Sequence, residues 1–306
     1  MSDSSGAWGE LARPGVRTQV GRLRRFRTAY LLVLPACCFL AFTYAYPVTQ
    51  LIVFSLHQRG RGEWVGLANY RLLLLDPLFR VSLLHNVLLL GVVPILVCLS
   101  VIVAALLHEQ FRGWKVYRIV VFLPIMLPVV VAGIAFGFIY EVHGPLNITL
   151  QALGLGRFAQ NWLGDARFAL SAVAGVVVWR QLGFGIVLIL ARIVQIPLEL
   201  YDSAGIDGAG WWQTLRLVTV PQLSTIIAFY VGVIVIELFS WVFNYVYVLT
   251  KGGPGFSTYV SELFIYDRAF GYDQMGIASA FSVMVLVGVV TSMFFYFTWL
   301  RGRDVF

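Results

Sequence analysis

Two charged side chains lie inside otherwise apolar stretches, and each has polar and aromatic company at helical spacing. Arg180 falls with Val177, Gln181 and Phe184, and Glu237 with Ser240, Trp241 and Asn244; both sets follow an i, i+3, i+4, i+7 pattern. Residues so spaced share one helix face. Each face is therefore a polar stripe with an aromatic on an apolar helix. The chemistry this offers is recognition: hydrogen-bonding groups beside a flat apolar platform suit a hydroxyl-rich ligand such as a sugar or polyol. Ionisable residues within apolar spans are expensive and face a cavity or a partner. A second reading therefore stands beside the first, in which Arg180 and Glu237 pair with each other or with another chain and only fix helix rotation. Trp179 and Tyr247 read as packing or interfacial belt aromatics.

Bond-breaking chemistry has no matching residues. The histidines His57, His85, His108 and His143 show no i, i+4 pair and no cysteine companions, so no metal site is expected. There is no nucleophile elbow and no G-x-x-x-x-G-K-[ST] loop, and Lys115 and Lys251 are the only lysines. The chain is read as no enzyme and as having no catalytic residue or cofactor of its own. Glu199 and Asp202 could be imagined as an acid–base pair, but in a hydrated loop they read as helix-end and partner-contact groups.

The elements that must carry the stripes are membrane spans. Of the 306 residues 59% are hydrophobic and 12% charged, against roughly 45–50% and 25% in soluble domains. The net charge of +7 does not point to nucleic acid, because Arg13, Arg17, Arg22, Arg24, Arg25 and Arg27 directly precede the first apolar run, as a cytoplasmic anchor does. Cys37, Cys38 and Cys98 lie inside apolar runs and imply no disulfide framework. Six runs are long enough to cross a bilayer, about Tyr30–Phe54, Leu83–Leu107, Val116–Tyr140, Phe168–Ile193, Leu223–Leu249 and Gly276–Leu300. Six spans put both termini on one side. The lysine and arginine bias favours a cytoplasmic side for them only modestly, since Arg59, Arg61, Arg71 and Arg80 fall outside. The expected organisation is a basic tail over residues 1–28, a first span with an external segment over 29–82, and a core of five spans over 83–306. Leu72, Leu75 and Phe79 suggest a short helix along the membrane face, and Pro47 a bend in the first span.

Between the fourth and fifth spans, the stretch from Ile196 to Thr225 mixes carboxylates and glycines. Pro197 suits a helix start, with Glu199 and Asp202 near its positive end. Gly205, Asp207-Gly208 and Gly210 should then interrupt it, giving two short helical pieces around a bend. Pro197, Glu199, Tyr201, Asp202-Ser203-Ala204, Asp207-Gly208-Ala209, Trp212 and Pro221, at these separations, resemble the EAA loop of the membrane permease subunits of binding-protein-dependent ABC importers, in the version of the carbohydrate-uptake permeases. The family's leading glutamate is Asp202 here, and its second residue, usually alanine, is Ser203. Val65–Tyr70, Asp76–Phe79, the Gly252-Gly253-Pro254 turn and Ala278-Ser279-Ala280 also match that style.

The resemblance implies an all-α membrane protein of six transmembrane helices with the MalF-like type I fold, both termini cytoplasmic, in the cell membrane of a prokaryote. Its partners would be a second, similar permease, two copies of an ATPase subunit that bind ATP and Mg, an extracytoplasmic solute-binding protein, and a carbohydrate cargo. The loop over 196–221 would be a coupling helix seated in the ATPase, contacting it through Glu199, Tyr201, Asp202, Ala204, Asp207, Gly208 and Ala209. Spans four to six would line the path, placing Val177, Arg180, Gln181, Phe184, Glu237, Ser240, Trp241 and Asn244 along it. The alternatives are a non-sugar cargo such as an amino acid, peptide or phosphate, or an ion-coupled secondary transporter using Arg180 and Glu237. No internal repeat of the kind such transporters carry is visible.

Overall fold

Prolines and side-chain caps decide where the helices stop. The computed structural model describes residues 30–58 and 62–302, so the basic tail assigned to residues 1–28 lies outside the described residues. Helix α1 (Tyr30–Ser55) carries a π-turn at Ala41–Ala45, just before the point where Pro47 withholds a backbone donor. Helix α2 (Ala68–Leu75) ends at Asp76, whose carboxylate accepts the Leu78 N–H at 2.9 Å and starts α3 (Pro77–Leu89) with Pro77 in its first turn. The expected face Leu72/Leu75/Phe79 is thus divided. Leu72 and Leu75 are exposed on α2, while Phe79 belongs to α3 and is buried with its ring 4.9 Å from that of Phe281.

After Leu90 and Gly91 the chain continues as α4 (Val92–His108), whose Pro94 offers the Leu90 carbonyl no N–H. The third run is broken into α5 (Trp114–Met126) and α6 (Val129–Ile139), bent by 104° relative to each other. Its cause is local: Leu127 precedes Pro128 and is pushed to an extended ψ of 135°, which no helix accommodates. Helices α7 (Pro145–Ala152) and α8 (Ala169–Ile193) follow, then α9 (Leu198–Ile206) and α10 (Trp211–Gln222, with a π-turn at Leu215–Thr219). Helix α10 meets α11 (Ser224–Leu238) at 73°. A second interruption separates α11 from α12 (Val242–Leu249), and α13 (Ser261–Tyr266) leads to α14 (Met275–Arg301).

Four helices, counting Pro77–His108 as one, are long and apolar enough to cross a membrane, or six spans if each bent pair counts as one. Among the described residues there is no β-strand, only an isolated bridge between His57 and Trp64. The described residues divide into two units that part between Ile52 and Val53. In the second unit α8 is central, packed along α4 and α5 and touched by α11 and α12. Lipid is as apolar as a leucine side chain, so close approach of backbones, more than burial from water, holds such helices together. Gly185 shows this: a Cβ there would lie 2.3 Å from both the Ser100 Oγ and the Tyr230 hydroxyl. A side chain at that position would wedge α4 and α11 away from α8.

Candidate functional site

The two stripes meet. Gln181 on α8 is buried and donates its Nε2 to Oε2 of Glu237 on α11, while its carbonyl accepts from the Tyr230 hydroxyl at 3.4 Å. Val177, Gln181, Ile234, Glu237, Leu238, Trp241, Val242 and Tyr245 line one crevice of about 10 Å³, room for about one water and far short of a sugar ring. Val177 is buried against this crevice, and Phe184 is half-buried with its ring 6.0 Å from Tyr230. Trp241, at the crevice, is 60% exposed, Ser240 beside it is exposed too, and Asn244 is half-buried with its amide donating to the Trp241 carbonyl at 3.3 Å.

Arg180 departs from this arrangement. Its guanidinium donates to the Leu127 carbonyl (3.2 Å), the Ile125 carbonyl (3.4 Å) and the Tyr245 hydroxyl (3.3 Å). Ile125 and Leu127 end α5, where helical carbonyls lack intrahelical donors, so Arg180 caps the break in the third run. It forms no direct ion pair with Glu237: among the described residues the ion pairs are Asp165–Arg167 and Asp76–Arg268. The two half-buried charges are therefore hydrogen-bonded separately, Arg180 by backbone carbonyls and the Tyr245 hydroxyl and Glu237 by an amide.

The second candidate region, the loop over 196–221, is built as the glycines suggested, with one difference. Gly205 stays inside α9, and the chain turns at Gly208, whose φ of 75° suits a residue without a Cβ. The Ala209 N–H bonds to the Ala204 carbonyl at 2.9 Å and the Gly208 N–H to the Gly205 carbonyl at 3.1 Å, the two bonds of a Schellman motif. Gly210 then caps α10, with its N–H held by the Gln213 side chain at 2.8 Å.

This elbow has two faces. Tyr201 and Ala204 point inward; the Tyr201 hydroxyl lies 3.3 Å from the Thr219 Oγ1, and its ring 6.1 Å from His108 at the end of α4. Ala209 is half-buried. Glu199, Asp202, Asp207 and Gly208 are exposed, together with Trp212 at 66% and two apolar residues that the sequence reading passed over, Ile206 at 87% and Leu198 at 68%. Their signal was available, since Ile206 stands alone between Gly205 and Asp207. Also missed were Tyr245, Tyr230 and Asn86, of which Asn86, a lone amide in the apolar run Leu83–Leu90, was the most visible.

The comparisons with known proteins agree with this architecture. The family described as "Binding-protein-dependent transport system inner membrane component" matches residues 96–301. The chain is 38% identical over 268 residues to the probable ABC transporter permease protein YurN of Bacillus subtilis, covering 84% of this chain and 90% of that protein. It is 31% identical over 321 residues to the diacetylchitobiose uptake system permease protein NgcF of Streptomyces coelicolor, covering 95% of this chain and 88% of the other. Among solved structures, a chain of a bacterial ABC transporter involved in the import of the acidic polysaccharide alginate superimposes with a TM-score of 0.80 at 20% identity, over 94% of this chain and 99% of that one.

Proposed function

The chain belongs to the family of binding-protein-dependent transport system inner membrane components, and from that premise we propose that it forms half of the path for a carbohydrate and couples that path to a separate ATPase. The family and the six-run architecture make it a multi-pass membrane component. The relatives of known cargo supply the class: a chain similar over most of its length to a diacetylchitobiose permease, with an exposed indole beside amide and hydroxyl groups, suits an oligosaccharide or a sugar or polyol phosphate.

The observation that carries the coupling is the elbow at 207–210. Its backbone is satisfied internally, while Ile206, Leu198 and three carboxylates point away from the protein. Exposed apolar side chains beside charges mark an interaction surface. In this reading the elbow faces the cytoplasm and sits in a cleft of an ATPase subunit, both termini are on that side, and a second permease completes the cavity that the 10 Å³ crevice only begins. ATP and Mg are held by two ATPase copies, and a solute-binding protein delivers cargo at the opposite end. When the ATPases close, Glu199, Asp202 and Asp207 carry the push into α9. Tyr201 and Ala204 pass it to Thr219 and to the end of α4, and so to α11 and the Glu237–Trp241 stripe.

Glu237 and Asn244 hold the hydrogen-bonding capacity on the path side, Trp241 the stacking platform, and Arg180 the shape of the wall behind them. The test is purification of the assembled transporter from native membranes. Co-purification of an ATPase, a second permease and a binding protein, with ATP hydrolysis stimulated by one member of a panel of disaccharides and glycerol phosphates, is the expected result. Stimulation by amino acids or phosphate alone would move the cargo class, and uptake that an ionophore abolishes while ATP is maintained would move the energy source.

A further inference from the structure

Asn86 is fully buried on α3 and bonds two segments far from it in sequence. Its Nδ2 donates to the Leu238 carbonyl at 2.9 Å, at the end of α11 beside Trp241, and to Glu262 Oε2 at 3.2 Å. Its Oδ1 accepts the N–H of Ser261, the first residue of α13, at 2.8 Å. We propose that Asn86 is a positioning residue, a latch that makes the interruption at 239–241 follow the segment at 259–268, and so sets where Ser240 and Trp241 stand. The functional weight of this latch rests on the reading of the Glu237–Asn244 stripe as part of the path.

The segment is anchored to α3 at more than this point. His85 Nδ1 lies 2.9 Å from the Tyr259 carbonyl and Arg268 pairs with Asp76, while within the segment the Tyr259 hydroxyl donates to Asp267 at 2.6 Å. Displacement of α3 and displacement of α13 are therefore nearly the same motion. The Leu238 carbonyl is where that motion enters the path. The other carbonyls of the last turn are occupied locally: Ile236 accepts from the Phe239 N–H, and Glu237 from the Ser240 and Trp241 N–H groups. Among the described residues the Leu238 carbonyl has only the Asn86 amide.

The chemistry requires an amide. Two N–H donors must reach two acceptors while one oxygen takes an N–H, which asparagine provides and neither aspartate nor leucine does. Around it Glu262 Oε1 and Ser261 Oγ are buried and, among the described residues, have no partner of their own, so this corner has little to fall back on if the amide leaves.

The test uses the full-length chain in nanodiscs of phosphatidylethanolamine and phosphatidylglycerol, read by amide hydrogen exchange. Ser261→Pro removes one latch bond and sets the ring Cδ where the amide hydrogen met Asn86 Oδ1, so it also pushes the two apart. Ser261 opens a helix, where proline is tolerated, and Val260 before it is already extended at φ −101° and ψ 164°. The latch predicts that the amides of residues 239–244, on a different element, exchange about tenfold faster in Ser261→Pro. Asn86→Leu should do the same, and the double variant should be no faster than Asn86→Leu alone. Should Asn86→Leu fail to fold, Ser261→Pro decides by itself. Faster exchange confined to 259–268 overturns the latch, whatever the chain transports. In cells, Ser261→Pro should lower the maximal sugar uptake about fivefold at equal amounts of membrane-inserted chain, whereas a merely structural role would lower the amount. Uptake untouched by Trp241→Ala overturns the path reading and leaves the exchange result standing.

Discussion

The elbow at 207–210 and the interruption at 239–241 both end a helix, yet they satisfy the stranded carbonyls by opposite means. At the elbow the chain folds back on itself, and Gly208 and Ala209 donate to α9 from the same strand of sequence. At the interruption the last carbonyl is served from another helix, by Asn86. The break at Leu127 repeats the second pattern, with Arg180 reaching from α8 to two carbonyls of α5. Water can finish an incomplete cap at the elbow, but hydrocarbon cannot, and an unsatisfied backbone group there costs several kcal/mol. The self-contained bend can therefore travel as a unit with whatever grips it. The membrane breaks move only with the helices that cap them.

The sharpest way to break this comparison is to remove the elbow's own cap. Gly208→Pro demands a φ near −65° where the chain has 75°, and it deletes the N–H that holds the Gly205 carbonyl. Uptake should fall more than about tenfold while the chain still inserts, because the bend faces away from the bundle. Glu199→Arg combined with Asp202→Arg should act in the same direction through the surface alone. Wild-type uptake in both variants, measured at equal membrane levels, would refute the coupling role.

Next in size is the borrowed cap. Arg180→Met leaves the Ile125 and Leu127 carbonyls without donors at membrane depth. We expect the thermal midpoint in detergent to drop by roughly 5–10 °C, from two orphaned groups in a domain of this size. Arg180→Lys should recover only part of it, since an ammonium cannot fork between two carbonyls and a tyrosine hydroxyl. An unchanged midpoint for Arg180→Met would mean that the break at Leu127 does not depend on α8.

Trp241→Ala should do the reverse, altering transport with little effect on stability. Its indole is 60% exposed, so truncation opens no cavity. The concentration for half-maximal uptake should rise about tenfold, the value of one lost stacking contact near 1.4 kcal/mol. Unchanged uptake would place the platform elsewhere.

Much of this was legible in the sequence, because the bilayer imposes period and length so strictly. The elbow followed from Pro197, Asp207-Gly208 and Gly210, and spacing put Gln181 and Glu237 each on a polar stripe of its own helix; that these two meet, instead of Arg180 with Glu237, is tertiary. The break at Leu127 is written in Pro124 and Pro128, but reading Val116–Tyr140 as one apolar run hid it. The interruption at 239–241 has no proline or glycine to announce it. Its carbonyl is capped by a residue 152 positions away, and no local pattern carries such a pairing. Arg180 shows the same limit: spacing placed it on the path face, and only the tertiary position of Leu127 shows where its donors go.

The smallest expected effect is a pH dependence of the latch corner. Burial first of all pushes the Glu262 carboxyl up to about 7, against the pull of hydrogen bonds from its own backbone and from Asn86. The closed segment thus holds its proton more tightly than the opened one, in which an exposed glutamate returns to an ordinary value near 4.3. By linkage the stabilisation is fully present below that ordinary value and is lost as pH rises through 7. Amides of residues 261–266, corrected for intrinsic exchange, should therefore open more readily at pH 8 than at pH 5.5. Glu262→Gln, which stays neutral, should flatten the profile. The elbow supplies the control: exchange at 198–206, followed over the same pH range, should show no such rise. A profile that is steep in both regions would sever the link between burial and pH response on which the comparison depends.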